Sequence, residues 1–267
     1  MFIEYLVKYG SYSSNLEYWY LCGSKTDSVG GEFILGGMAL NTNLLSEKRH
    51  KVIEYIDRFG VITSAQLERY LSDLGVMTIY RARAQGEEMG FIERGSYGQQ
   101  KVLSITKQGS EYVGNIGRQA GISYSTLQHS LTINEVIFKL MYELGYRDRG
   151  YEFITERELR EEIFDQLSYE RSQQPNIMRT LRNEIPDFLL EKDGETLAFE
   201  VELNRKTRKR LHQKLKLYKQ SLEQGKYTHV FYITKDENLK KQIDKEAQNL
   251  SLNLRLLTLN ELKKKEG

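Results

Sequence analysis

The chain has 267 residues, and its 39 basic and 37 acidic residues leave a net charge of +2. This near balance excludes a protein that is basic throughout, so any nucleic-acid surface must be local. A single cysteine, Cys22, excludes an intramolecular disulfide framework, and no apolar run approaches the roughly 18–20 residues of a membrane span. Because the N-terminus lacks the basic and apolar segments of a signal peptide, we expect a cytoplasmic protein without membrane contact.

Residues 1–45 form a predicted N-terminal extension rich in glycine, serine and tyrosine. Short apolar runs at residues 2–9, 16–22 and 32–35 are separated by Gly, Ser and Asn turn signals. The pattern is typical of a small β-hairpin or a loosely ordered segment, and no function is assigned to it.

From Ser46 the pattern changes to amphipathic helices. Ser46, Thr63 and Thr106 are predicted helix caps, and Thr78 is predicted to open the third helix. The predicted elements are helices 47–59, 64–71 and 79–89, strands 91–94 and 102–105, and a closing helix 107–116. The order helix, helix, helix and hairpin resembles the winged helix-turn-helix superfamily over about residues 46–117.

That resemblance implies a domain that binds double-stranded DNA. In winged helices the third helix enters the major groove, and the hairpin wing reaches phosphate or the minor groove. Arg and Gln suit base edges, whereas Lys and hydroxyl groups suit phosphate. The implied contact residues are Thr78, Tyr80, Arg81, Arg83 and Gln85 on the third helix, with Arg94, Tyr97, Gln99, Gln100 and Lys101 on the wing. A protein-docking module remains the alternative, because Glu87, Glu88 and Glu93 dilute the positive field.

Residues 118–128 are a predicted linker to a second domain at 129–267. Its predicted elements are helix 130–144, strand 151–155, a polar excursion at 161–182, two strands around 185–190 and 197–203, helix 206–224, strand 229–234, helix 237–249 and strand 252–257. This alternation predicts an α/β sandwich. The whole chain is therefore expected to combine an α+β winged helix with an α/β domain.

Three carboxylates are carried by the two strands around the predicted Asp-Gly turn. Alternation along a strand puts Glu200 and Glu202 on one face, and Asp187 would lie beside them on the neighbouring strand. Such groups repel one another unless they are protonated, separated or neutralised by a cation. Mg²⁺, which prefers oxygen ligands, is the candidate cofactor, with Asp187 and Glu200 as its ligands. The alternative is an ordinary hairpin whose carboxylates face solvent.

The order of elements around these carboxylates resembles the PD-(D/E)XK nuclease superfamily. Pro186-Asp187 and Glu200-Val201-Glu202 occupy its motif positions. The resemblance implies a restriction-endonuclease-like fold with Asp187, Glu200 and Glu202 as the catalytic carboxylates.

One position departs from that pattern. Glu202 stands where the family usually has a lysine that activates the attacking water, although some restriction endonucleases carry glutamate there. Lys206, four residues later, is a candidate substitute. Glu135, on the preceding helix, matches a position where many of these nucleases place an additional catalytic acid.

A basic run follows the carboxylates and contains no acidic residue. Its members are Arg205, Lys206, Arg208, Lys209, Arg210, Lys214, Lys216 and Lys219. The apolar residues Leu211, Leu215, Tyr218 and Leu222 follow helical spacing, so the cations must occupy the remaining surface. Such a surface can neutralise phosphates, and we predict DNA contact by Arg205, Lys206, Arg208, Lys209, Arg210 and Lys214. A charge run that is merely a solvated face is the alternative.

The histidines carry no comparable signal. His129, His212 and His229 show no metal-ligand spacing with Cys22, so a zinc site is not expected.

Taken in order, the motifs resemble the replication-relaxation family of plasmids and mobile elements over about residues 46–260. They are the winged-helix segment, His129-Ser-Leu-Thr-Ile-Asn-Glu135, Thr155-Glu-Arg-Glu-Leu-Arg160, Pro186-Asp187, Phe199-Glu-Val-Glu202 and Lys214-Leu-Lys-Leu-Tyr218. The resemblance implies a DNA-binding accessory protein of plasmid replication or conjugative transfer, with a relaxase or replication protein as partner. Two alternatives stay open: a Mg²⁺-dependent endonuclease or nickase, and a winged-helix transcriptional regulator whose second domain forms a homodimer.

Overall fold

The computed structural model describes residues 45–115, 124–166 and 185–264, which combine helices with two β-sheets. The helices are α1 Glu47–Phe59, α2 Ser64–Tyr70, α3 Val76–Glu88, α4 Lys107–Tyr112, α5 Tyr124–Phe138, α6 Glu156–Gln166, α7 Arg208–Glu223, α8 Glu237–Asn249 and α9 Leu259–Lys264. The strands are β1 Val61–Thr63, β2 Ile92–Tyr97, β3 Gln100–Ile105, β4 Glu152–Thr155, β5 Phe188–Lys192, β6 Glu195–Glu202, β7 His229–Thr234 and β8 Arg255–Thr258. Helix α5 continues into a π-helical turn, Lys139–Glu143. Within these ranges no helix is both long and apolar enough to cross a membrane.

Several predicted boundaries are corrected. Helix α3 begins at Val76, with Gly75 in an extended conformation as its N-cap, so Thr78 lies inside the helix instead of opening it. Helix α5 includes residues 124–128, which were predicted as linker. Helix α6 replaces the first residues of the predicted excursion. The strands predicted within residues 1–45 lie outside the described residues.

The first sheet has the antiparallel order β1-β3-β2 and is covered by α1 to α3. Thr63 ends β1 and caps α2 in a reciprocal capping box with Gln66, as its sequence position predicts. Thr106 caps α4 by accepting from the Gly109 N–H. Strand β1 was not predicted, because three residues are too short to show alternation.

The second sheet has the order β4-β5-β6-β7-β8, antiparallel from β4 to β6 and parallel from β6 to β8. One face carries stacked rings from Phe188, Phe199 and Phe231, with centroids 4.6 Å apart at each step. The opposite face packs against α7 and α8 through Tyr232 and its neighbours. Since side chains alternate along β6, Glu200 and Glu202 lie on the face covered by α7.

The two sheets share one hydrophobic core, and residues Leu45–Gly267 form one compact unit. Polar bonds reinforce this packing: Asn134 donates to the Val61 carbonyl at 2.9 Å, and Tyr70 donates to the Asn134 carbonyl at 2.6 Å. Arg58 of α1 pairs with Glu158 of α6 at 2.6 Å. The predicted boundary at 118–128 therefore separates two sheets that are packed against each other.

Candidate functional site: a carboxylate cluster and an exposed cationic surface

The predicted carboxylates meet on the α7 side of the second sheet. Backbone pairing holds Asp187 beside β6, because the Asp187 N–H donates to the Phe199 carbonyl at 3.0 Å. Glu200 and Glu202 are 4% and 7% exposed. We call these two buried glutamates, together with the partly buried Asp187, Lys206 and Lys214, the carboxylate cluster.

Glu200 is neutralised inside the protein by α7. The Lys214 ammonium lies 2.7 Å from Glu200 Oε1, and the Tyr218 hydroxyl donates to the same oxygen. Burial opposes ionisation of Glu200, but the charges of Lys214 and Lys206 outweigh it, and the pKa of Glu200 is lowered. Glu200 is therefore a buried carboxylate that is held in its charged form.

Lys206 neutralises Glu202 in the same way. Its ammonium lies 2.5 Å from Glu202 Oε2. Burial alone would lower the pKa of Lys206, but Glu200 and then Glu202 raise it, so the net shift is upward. Lys206, the candidate substitute for the lysine of the nuclease pattern, thus lies against the cluster.

Asp187 has weaker compensation than the two glutamates. Its Oδ2 accepts from the Val201 N–H at 2.7 Å and lies 3.6 Å from His129 Nε2. Burial and then the charge of Glu200 raise the pKa of Asp187 to about 7, although His129 acts in the opposite direction. Asp187 consequently exchanges a proton near neutral pH.

His129 is a member of this site that the sequence analysis missed. It is carried by α5, and its Nε2 also contacts the Val201 carbonyl at 2.8 Å. No local pattern signals this placement, because it depends on how α5 docks against β6.

A second residue missed from sequence is Tyr232 on β7, which pairs with Glu200 across the sheet. Its side chain is fully buried, and its hydroxyl has no hydrogen-bond partner among the described residues. Burial and the negative charge of Glu200 raise the pKa of Tyr232 well above its usual value.

The donor set can be tested against Mg²⁺ directly. Carboxylate oxygens are the ligands that Mg²⁺ prefers, but the ammonium groups of Lys206 and Lys214 lie where a cation would balance Glu202 and Glu200. In the ranges that the structure describes, no three His, Cys, Asp or Glu side chains are arranged to hold a metal ion. Mg²⁺ at Asp187 and Glu200 stays a prediction.

The structure does not bring Glu135 into the cluster. One carboxylate oxygen accepts from Gln66 Nε2 at 2.9 Å and the other from Arg69 at 2.7 Å, both on α2. The expected catalytic acid is therefore a link between the two halves of the core. This placement argues against the predicted catalytic role of Glu135.

The basic run divides into paired and unpaired cations. Lys206 and Lys214 are committed to the cluster, and Arg208 lies 3.1 Å from Glu246 of α8. This corrects the expectation that the whole run faces a polyanion, because the acids missing from the run come from elsewhere in the fold. Four exposed cations of the run have no acidic partner in the described part of the chain: Arg205, Lys209, Arg210 and Lys216.

The predicted contacts on α3 divide similarly. Tyr80 and Arg81 are exposed, and Thr78 is half-buried. Arg83 is only 7% exposed and lies 3.8 Å from Glu68, and burial followed by the charge of Arg94 lowers its pKa. This burial and pairing argue against the predicted contact of Arg83 with DNA.

Gln85 and the wing complete that surface. Gln85 accepts from Arg49 of α1 at 2.6 Å, so its amide oxygen is occupied by a packing contact. Arg94 pairs with Glu87 at 2.6 Å. Lys101 is exposed beside the turn between β2 and β3. We call these exposed residues the exposed cationic surface, which has two parts: Tyr80, Arg81 and Lys101 on α3 and the wing, and the unpaired cations Arg205, Lys209, Arg210 and Lys216 at α7.

Comparison with known proteins identifies no relative: no family model, no curated protein and no solved structure matches this chain.

Proposed function

We propose that this protein binds double-stranded DNA, with Leu45–Asn115 acting as a winged helix and the second sheet as a nuclease-like scaffold. The observation that carries the proposal is the exposed cationic surface, whose arginines and lysines have no acidic partner among the described residues. Cations that are already neutralised inside the protein gain little from phosphate, whereas these are free to replace counterions on DNA.

The order of elements supports the winged-helix part of the proposal. Strand β1, between the first two helices, pairs with hairpin strand β3, and α3 packs against α1. Tyr80 and Arg81 then lie on the outer face of the third helix, where a winged helix contacts the major groove. Lys101 lies at the hairpin, which reaches phosphate in such domains.

The biological setting follows from the order of motifs described above. Their resemblance to the replication-relaxation family supports a role in plasmid or mobile-element replication or transfer, with a relaxase or replication protein as partner. DNA binding is the part of this role that the exposed side chains support most directly.

Duplex binding tests the proposal. Fluorescence anisotropy with a labelled random-sequence duplex of about 30 base pairs should show binding. The logarithm of the association constant should fall linearly with the logarithm of the salt concentration. Changing Lys209 and Arg210 together to Gln should weaken binding and lower the salt slope by about 0.9 for each lost phosphate contact.

A matched control comes from α8. Lys241 and Lys245 are exposed lysines on that helix, and changing both to Gln removes the same charge from a different surface. Equal loss of binding in the two double variants would show a net-charge effect and remove the assignment to α7.

A second candidate function is metal-dependent DNA cleavage by Asp187, Glu200 and Glu202. It is favoured by Lys206, whose ammonium lies at the cluster and could serve as the lysine that position 202 lacks. A bound Mg²⁺ would stabilise charge on the scissile phosphate. In this chain Asp187 and Glu200 would hold the metal ion, and Lys206 would orient the attacking water.

Plasmid nicking separates the two functions. If the second candidate holds, purified protein with Mg²⁺ or Mn²⁺ converts supercoiled plasmid to the open circle, and Asp187→Asn abolishes conversion without weakening duplex binding. If the plasmid stays intact while the protein binds duplex normally, metal-dependent cleavage is eliminated and DNA binding remains as the proposed function.

A further inference from the structure

The N-terminal end of α3 exposes an apolar patch. Val76, Met77 and Tyr80 are 63%, 59% and 57% exposed, and they are the large apolar side chains that stand exposed in the described ranges. Their spacing puts them on adjoining positions of the first helical turn and a half. We call these three residues the α3 tip.

Packing among the described residues does not account for the α3 tip. The same helix buries Ile79 and Ala82 against the shared core, so its inward face is already satisfied by other residues. Leaving three large apolar groups in water costs free energy, and clustered exposed apolar groups mark surfaces that meet a partner.

The charge around the tip suits DNA as that partner. No acidic residue occurs between Val76 and Gly86, and Arg81 is exposed next to Tyr80. The nearby Asp73 is neutralised by Lys51 at 2.9 Å. Neither residues 76–86 nor Asp73 therefore presents an unpaired carboxylate to a phosphate backbone at this end of the helix.

The major groove contains one apolar group that such a patch can contact. The C5-methyl of thymine projects into it, whereas the other bases present hydrogen-bonding groups at their edges. A helix that enters this groove places its N-terminal residues against the base edges. The α3 tip falls on those positions.

We propose that Val76 and Met77, flanked by Tyr80, read the C5-methyl groups of pyrimidines, so that the preferred duplex is rich in thymine. This inference rests on the proposed function and adds to it the chemical feature of the DNA that is selected. Arg81 and Lys101 supply affinity for phosphate, and the α3 tip discriminates between methylated and unmethylated pyrimidines.

Four alternating duplexes test the methyl group by itself. Poly(dA-dT) and poly(dA-dU) differ by the methyl of thymine, and poly(dG-d5mC) and poly(dG-dC) differ by the same methyl in another base pair. Burying one such group stabilises binding by about 0.8 kcal/mol, which is about fourfold in affinity. Wild-type protein should bind each methylated duplex between about fourfold and fifteenfold more tightly than its unmethylated counterpart.

The residues are tested by replacing apolar atoms with polar ones of similar size. The double variant Val76→Thr and Met77→Gln should bring both affinity ratios close to one while it binds poly(dA-dU) as wild type does. Because the result is a ratio measured on one protein, a partly unfolded variant does not imitate it. Glu88→Gln, at the exposed C-terminal end of the same helix, is the control and should keep the wild-type ratios.

Each outcome has one meaning. Equal binding of methylated and unmethylated duplexes by wild type overturns methyl reading and leaves the proposed DNA binding intact. Failure to bind any of the four duplexes overturns the proposed function itself. Ratios that persist in the double variant overturn the assignment to Val76 and Met77. Loss of self-association in that variant with unchanged ratios would instead assign the α3 tip to a second copy of the chain.

Discussion

The carboxylate cluster and the exposed cationic surface use the same residue types in opposite ways. In the cluster, Lys206 and Lys214 face buried glutamates, and their charges are balanced within the protein. On the surface, Lys209 and Arg210, from the same helix as Lys214, face solvent without an acidic partner in the described part of the chain. Burial and pairing therefore decide which cation of the basic run stabilises the fold and which is available to a polyanion.

Removing Lys214 should produce the largest effect. Lys214→Met leaves Glu200 buried with a negative charge that has lost its closest cation, and breaking a buried pair in this way costs about 3–5 kcal/mol. The free energy of unfolding, measured with urea, should fall by that amount. Lys209→Met removes an exposed cation of the same helix and should change it by less than about 0.5 kcal/mol. Similar values for the two variants would contradict the contrast between cluster and surface.

The pH dependence of stability isolates Asp187. Its folded pKa of about 7 is raised above the unfolded value of about 3.9, so the folded state holds the proton more tightly. The contribution of Asp187 to the free energy of unfolding is fully present below about pH 4 and is lost as the pH rises towards about 7. Above about pH 7 the contribution no longer changes with pH. Asp187→Asn cannot ionise, so its free energy of unfolding should rise relative to that of wild type between about pH 4 and 7. The difference should grow by up to about 1.4 kcal/mol per pH unit.

Unfolding curves of Asp187→Asn and wild type between pH 4 and 9 measure this difference. Asp244→Asn, at a partly exposed position on α8, is the control and should follow wild type throughout. Parallel curves for Asp187→Asn and wild type would show that Asp187 is ionised throughout and is not destabilised by its surroundings.

Two arginines of α3 sharpen the comparison within a single helix. Exposed Arg81 is expected to contact phosphate, so Arg81→Gln should weaken duplex binding to the same extent on every sequence and reduce the salt slope by about 1. Buried Arg83 should not contact phosphate, and Arg83→Met should leave duplex affinity within about twofold. Anisotropy titrations of both variants measure these changes. A larger loss with Arg83→Met, at unchanged stability, would reverse the assignment.

Glu135 should give the smallest effect. Glu135→Gln removes an exposed ion pair with Arg69, which contributes at most about 1 kcal/mol, and the amide oxygen can still accept from Gln66. Thermal unfolding should change slightly, and any plasmid nicking seen with wild type should persist. Abolished nicking in a stable variant would restore the catalytic role that the sequence pattern indicates.

Much of the candidate site could be predicted from the sequence. The burial of Lys214, which was not predicted, could also have been inferred from helical spacing. Alternation correctly put Glu200 and Glu202 on one face, and the Asp193-Gly194 turn joins the two strands as expected. Lys214 lies three residues after Leu211 and four before Tyr218, so it falls on the same face of the helix as these buried residues. Its charge alone led to the prediction that it is exposed.

Other parts of the site depend on tertiary packing and leave no local trace. His129 reaches Asp187 only because α5 docks on β6, and Arg208 meets Glu246 only because α8 packs beside α7. The mixed α and β character and the two sheets follow from the pattern of elements. The short β1 and the start of α3 at Val76 do not, since the strand is too brief to show alternation and the helix lacks a side-chain cap.

The shared core limits how this protein can be dissected. Dividing the chain within residues 116–123 would separate Tyr70 from the Asn134 carbonyl and Arg58 from Glu158. It would also expose part of the shared hydrophobic core on each fragment. Neither half keeps a complete hydrophobic core, so the segment Leu45–Asn115 should not be excised as an independent module. Point variants in the full chain are therefore the sound way to separate its activities.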